Sequence, residues 1–198
     1  MSTKKVIQKI ELPDGDEWIA RVRDRSFENM KRYLETGNFA ITEGAILAGC
    51  TFFAGYPITP ATELAEAMSL RLPQVGGVYL QAEDECAAMH MCIGAALGGM
   101  KVMTATSGPG WCLMIETVQY ALMTETPVVI VDAQRAGPAT GMATRTEQSD
   151  LLFIVHAAQG DFPRAVIAPA NTRDAFYMAA EAFNIAERWH VPVFIMSD

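Results

Sequence analysis

Residues 77–110, GVYLQAEDECAAMHMCIGAALGGMKVMTATSGPG, read as one βαβ unit. Gly77-Val78-Tyr79-Leu80-Gln81 is a short β-prone run. Glu83, Asp84 and Glu85 then open a helix of Ala, Met, Cys, Ile and Leu that is apolar nearly all round, the pattern of a helix packed on a sheet and buried from both sides. Gly98-Gly99 stops it. Lys101 to Thr106 is expected as the next strand, and Ser107-Gly108-Pro109-Gly110 as a turn that aims backbone N–H groups beyond the strand's end. In open α/β sheets that rim is where ligands bind.

The same rhythm extends in both directions. Before the unit come a helix (38–48), a strand (51–55) and a helix (60–70). After it come a helix (110–123), a Val/Ile-rich strand (127–133), a short helix (150–157), a strand (165–168), a helix (171–188) and a last strand (191–196). Six strands alternating with helices predict an α/β fold, a doubly wound, mainly parallel sheet with helices on both faces. The run Gln134 to Ser149, QRAGPATGMATRTEQS, breaks the rhythm with a long polar loop directly after a buried strand, and loops of that length inside a domain are usually functional or disordered.

Composition bounds the rest. The 198 residues suffice for one main core, and 51% hydrophobic against 19% charged residues is a globular balance. There is no bilayer-length apolar run and no basic-then-apolar leader, so a cytoplasmic protein with no membrane partner is expected. A net charge of -8 argues against nucleic acid. Cys50, Cys86, Cys92 and Cys112 sit in apolar helical or helix-end contexts without C-x-x-C spacing and read as reduced core residues. Residues 1–37 stand apart, carrying eight basic and seven acidic side chains of the chain's 38 charged residues. They form a charged arm with an expected edge strand (6–12) and amphipathic helix (18–35), followed by the main domain at 38–198.

Several clusters carry both a structural and a functional reading. In Gly55-Tyr56-Pro57-Ile58-Thr59-Pro60, Thr59 serves as an N-cap with Pro60 at the first helical position, or presents its hydroxyl at a fixed place on the rim. Acids at 83–85 offset the helix dipole, yet at least one is expected to face inward from so apolar a helix, and a buried carboxylate needs a partner or a raised pKa. Arg135, the only basic residue between Lys101 and Arg145, makes a surface ion pair or holds a substrate carboxylate. His90 and His156 read as core or helix-end residues. The Walker, G-x-G-x-x-G, H-E-x-x-H and G-x-S-x-G signatures are absent.

Taken together, GYPITPATE (55–63), QAEDE (81–85), TATSGPGWCLMIE (104–116), PVVIVDAQRAGPATG (127–141) and EQSDL (147–151) resemble the alpha subunit of 2-oxoacid:ferredoxin oxidoreductases, the 2-oxoglutarate type above all. The resemblance covers about residues 37–198. It implies the pyrimidine domain of a thiamine diphosphate enzyme, with half the cofactor site here and the diphosphate-magnesium half on a beta subunit. By the same resemblance Glu83 is the catalytic acid that hydrogen-bonds the aminopyrimidine ring. Thr59 and Arg135 contact the substrate, and Tyr56, Pro57 and Ile58 line the cofactor. Implied partners are a 2-oxo acid, coenzyme A, and an iron-sulfur subunit or ferredoxin, with magnesium and iron-sulfur clusters held by partner chains and no metal ligated here. Oxidative decarboxylation to an acyl-CoA and carbon dioxide follows as the expected activity. A non-catalytic assembly or regulatory subunit, and a split thiamine-dependent decarboxylase, are the alternatives.

Overall fold

Strands that lie parallel to their neighbours cannot be joined by tight hairpins, so each must be followed by a crossover, and this chain supplies helices for that purpose. The computed structural model describes residues 34–198; up to residue 33, the N-terminal arm and its expected strand and helix lie outside them. The described elements are α1 (Gly37–Leu47), β1 (Phe52–Gly55), α2 (Thr62–Arg71), β2 (Val78–Gln81), α3 (Glu85–Leu97), β3 (Val102–Thr106), α4 (Gly108–Met123), β4 (Val128–Ala133), α5 (Leu151–His156), β5 (Ala165–Ile167), α6 (Thr172–Trp189) and β6 (Pro192–Ser197). A 3-10 turn, Leu72–Val75, links α2 to β2. The six strands form one all-parallel sheet in the order β2-β1-β3-β4-β6-β5, the doubly wound arrangement expected from the alternation.

Period-2 alternation sorts the strand residues onto two faces. Phe52 and Ala54 of β1, Val102 of β3, Val128 and Ile130 of β4, and Phe194 and Met196 of β6 join Met89 and Cys92 of α3, Trp111, Met114 and Val118 of α4, and Ile154 of α5 in one buried cluster. Trp111 anchors it with an edge-on contact to Phe194, ring centroids 4.9 Å apart. The intervening strand residues face α1, α2 and α6, where Ile41, Leu64, Met68 and Phe183 are fully buried. An Arg71–Glu43 ion pair ties α2 to α1. No helix among the described residues is long and apolar enough to cross a membrane.

Several boundaries and exposures differ from the sequence reading. α2 begins at Thr62 rather than Pro60, and Thr59 does not cap it; the N-cap position falls to Ala61 without a side-chain bond. The carbonyls of Thr59 and Pro60, which precede this start, accept side-chain donors: Arg135 on Thr59 (2.9 Å) and Asn38 on Pro60 (2.9 Å). At α4 the difference runs the other way. Gly108 to Gly110 are not a free turn but the helix's first turn, with Pro109 where its missing N–H costs nothing. α3 is buried on one side only, and Met91 and Leu97 are exposed, as are Val78 and Leu80 on the edge strand β2. His90 is an exposed residue of α3, and Cys112 is exposed rather than a core thiol.

Candidate functional site

The sheet reverses its winding between β1 and β3: from β1 the chain passes to β2 at one edge, and β3 returns on the other side of β1. β1 pairs with β2 over four residues but with β3 only through Phe52↔Val102 and Phe53↔Met103. Past Phe53 the two strands part. The gap between their C-terminal ends is the topological switch point, the place where open α/β sheets bind ligands. Three segments meet at this rim: the run 56–60 after β1, the N-terminus of α3, and the start of α4.

Of the three acids that open α3, each has a different place. Asp84 is the N-cap, its carboxylate accepting from the Ala87 amide at 2.7 Å. Glu83 is exposed and makes no side-chain hydrogen bond among the described residues. Glu85 is the acid that faces inward, 5% exposed. It packs against the first turn of α4: a β-carbon on Gly110 would clash with the Thr106 hydroxyl and would stand 2.6 Å from Glu85 Oε1. Gly110 is thus a glycine because two polar side chains occupy the space a side chain would need. The signal was in the sequence. The buried stripe of α3 is Glu85, Ala88, Met89, Cys92 and Ile93, and stepping back three and four residues from Ala88 and Met89 lands on Glu85 rather than Glu83.

Arg135 and Thr59, 76 residues apart, are brought together. Arg135 is 7% exposed and donates from Nη1 to the Thr59 carbonyl (2.9 Å) and from Nη2 to the Thr140 carbonyl (2.8 Å), while its Nε–H has no partner. The guanidinium pins the loop after β1 to the loop after β4. Tyr56, Pro57 and Thr59 are exposed along that first loop and Ile58 is half-buried. A pocket of about 390 Å³ lies beside Arg135, lined also by Gly108, Cys112, Pro138, Asp150 and Phe153.

Two further carboxyls near this pocket escaped the sequence reading. Asp132, near the end of β4, is 1% exposed, and neither of its oxygens meets a donor. Burial first, then the neighbouring Asp150 carboxyl, pushes it up to about 8. Asp150 is also raised, chiefly by burial. A lone acid inside PVVIVDAQ was the available sign, since a charged residue in a buried parallel strand needs an explanation.

A doubly wound parallel sheet with a polar crevice at its switch point, one buried carboxyl in that crevice and a buried arginine on its rim, defines an α/β cofactor-binding domain. The chain belongs to the pyruvate flavodoxin/ferredoxin oxidoreductase family, whose thiamine diphosphate-binding domain matches residues 43–198. It is 50% identical over 169 residues to the 2-oxoglutarate synthase subunit KorA of Methanocaldococcus jannaschii, a match covering 85% of this chain and 46% of that one. To the alpha subunit of 2-oxoacid:ferredoxin oxidoreductase 1 of Aeropyrum pernix it is 44% identical over 170 residues, covering 82% of this chain and 27% of that one. Among solved structures it is similar to the 2-oxoglutarate:ferredoxin oxidoreductase from Magnetococcus marinus with 2-oxoglutarate, coenzyme A and succinyl-CoA bound (TM-score 0.81, 47% identity, 83% of this chain and 29% of that one). The chain spans about half the length of the KorA subunits it matches.

Proposed function

We propose that this chain is the pyrimidine-binding part of a thiamine diphosphate-dependent 2-oxoacid:ferredoxin oxidoreductase that acts on 2-oxoglutarate. Family membership and the names of the 50%-identical relatives support the reaction class and the substrate. The partners that go with this reading are a beta subunit for the diphosphate and magnesium, iron-sulfur carriers or ferredoxin, and coenzyme A. The observation that carries the reading is a carboxyl buried at the switch point against Thr106 and Gly110.

Thiamine diphosphate, when bound, supplies a carbon nucleophile that can take up the electron pair left when a 2-oxo acid loses carbon dioxide. The residues here suit its pyrimidine end: Glu85 is a buried carboxyl on the first turn of a helix whose buried stripe is otherwise apolar. Its Oε1 would hold a proton against a ring nitrogen, and exclusion of water keeps that proton from being lost to solvent. We assign this role to Glu85 in place of Glu83, because an exposed carboxylate competes with water for the same proton. Tyr56, Pro57 and Ile58 would line the cofactor, and Thr59 and Arg135 the substrate.

Arg135 already spends Nη1 and Nη2 on the Thr59 and Thr140 carbonyls. Its Nε–H is buried, so the donors left for a substrate carboxylate are the second hydrogens of Nη1 and Nη2. Binding substrate would then reinforce the loop contacts instead of breaking them. The test is proton-deuterium exchange at the thiazolium carbon in the reconstituted complex, comparing Glu85→Gln with Glu83→Gln.

A further inference from the structure

Asp132 projects from β4 on the same sheet face as Ile130, so it meets the beginning of α4. There the Asp150 carboxylate lies against Gly108; a β-carbon at Gly108 would stand 2.7 and 2.8 Å from its two oxygens. Asp150 immediately precedes α5, and its carbonyl accepts from the Ile154 amide at 2.9 Å. Its own amide donates to Gln134 Oε1 at 3.2 Å. Both oxygens of Asp132 and Oδ2 of Asp150 are buried without a donor, and neighbouring carboxyls in that state can satisfy each other only if one of them carries a proton.

We propose that Asp132 is a positioning residue that keeps one proton between itself and Asp150, and through Asp150 latches the start of α5 and the adjoining pocket wall onto the N-terminus of α4. The negative charge rests on Asp150, where the amide end of α4 and the Arg135 guanidinium offset it. The proton rests on Asp132, the more buried of the two. Other titratable or charged groups around the pair are Cys112 from α4, and Glu147 and Arg135 from the loop after β4; opposite Asp132, β6 presents Met196 and β3 presents Thr106.

The sign of the pH effect follows. Asp132 is raised in the folded chain, so the folded state binds the extra proton and its stability is greatest below the ordinary aspartate value of about 4. That contribution is lost as pH rises through about 8. Above this the two charges repel and the latch opens.

Two experiments test the proposal, the first independent of the function assigned above and the second resting on it. In the full chain, carbon-13 resonances of aspartate side-chain carboxyls should include one that titrates far above the ordinary range, absent from Asp132→Asn, whose amide supplies the same donor without titrating. The melting temperature of the wild type should fall between about pH 4 and about pH 8, and that of Asp132→Asn should fall less. Equal slopes, or no high-titrating carboxyl, would overturn the proton sharing. In the assembled enzyme, Asp132→Leu should raise the KM for 2-oxoglutarate about tenfold, the scale of one lost hydrogen bond, with kcat little changed, and Asp132→Asn should restore it. An unchanged KM in Asp132→Leu would overturn the positioning role. An inactive wild-type complex would instead count against the function proposed above and leave the carboxyl titration to decide the pair.

Discussion

Arg135 Nη1 donates to the backbone carbonyl of Thr59 across 2.9 Å, joining the loop that leaves β1 to the loop that leaves β4. These loops flank β3 on either side in the sheet, so one buried guanidinium spans the C-terminal rim over three strands. The second bond, to Thr140, closes the long polar loop back on its own start.

Replacing Arg135 by Lys keeps the charge but cannot serve two carbonyls and a carboxylate in one plane. The KM for 2-oxoglutarate should rise while thiamine diphosphate affinity stays near wild type. The chain itself should lose on the order of 1.5–3 kcal/mol, the range for hydrogen bonds to a charged group. Steady-state kinetics and denaturant unfolding measure the two effects separately. Lost stability with an unchanged KM would assign Arg135 to holding the loops alone.

Gly110→Ala should damage the site from within the first turn of α4. The added methyl meets the Thr106 hydroxyl and Glu85 Oε1, both on the crevice side of the helix. Overpacking of this kind costs about 1–3 kcal/mol, and the displaced carboxyl should lose its proton contact. The expected result is a folded but nearly inactive variant, read by circular dichroism and turnover of the assembled enzyme.

Thiol reactivity should divide three of the four cysteines. Burial pushes the Cys50 and Cys92 thiols up to about 12, leaving almost no thiolate at neutral pH. Cys112 is exposed, and although burial of its sulfur first, and then the charge of nearby Asp150, raise it, a reagent can reach it. Native labelling followed by peptide mass analysis should find Cys112 modified well before Cys50 or Cys92. Those two should react only on unfolding.

The sheet was legible because strand residues such as those of PVVIVDAQ are apolar on both faces, and all six strands lie within a residue or so of where that signal puts them. What the linear pattern could not give was competition for backbone groups. Thr59 fits the N-cap rule, but its carbonyl accepts from an arginine 76 residues away, and α2 starts at Thr62 instead. Exposure was also hidden: Met91, Leu97, Val78 and Leu80 look like core in a one-dimensional reading and are surface in this chain. The choice among Glu83, Asp84 and Glu85 was legible in the helical phase, since only Glu85 lies three and four residues before the buried Ala88 and Met89.

The most direct measurement is deuterium exchange at the thiazolium carbon in the reconstituted complex, because it reports proton movement at the cofactor without substrate, clusters or coenzyme A. Glu85→Gln should slow exchange by ~100-fold or more, the scale of a lost general acid-base group, and Glu83→Gln should exchange at close to the wild-type rate. Asp84→Asn keeps a capping side chain and should cost only the charge at the helix end, about 0.3–1 kcal/mol. Slow exchange in Glu83→Gln with a normal rate in Glu85→Gln would contradict the assignment of the buried carboxyl, and normal exchange in both would contradict the catalytic reading of this chain.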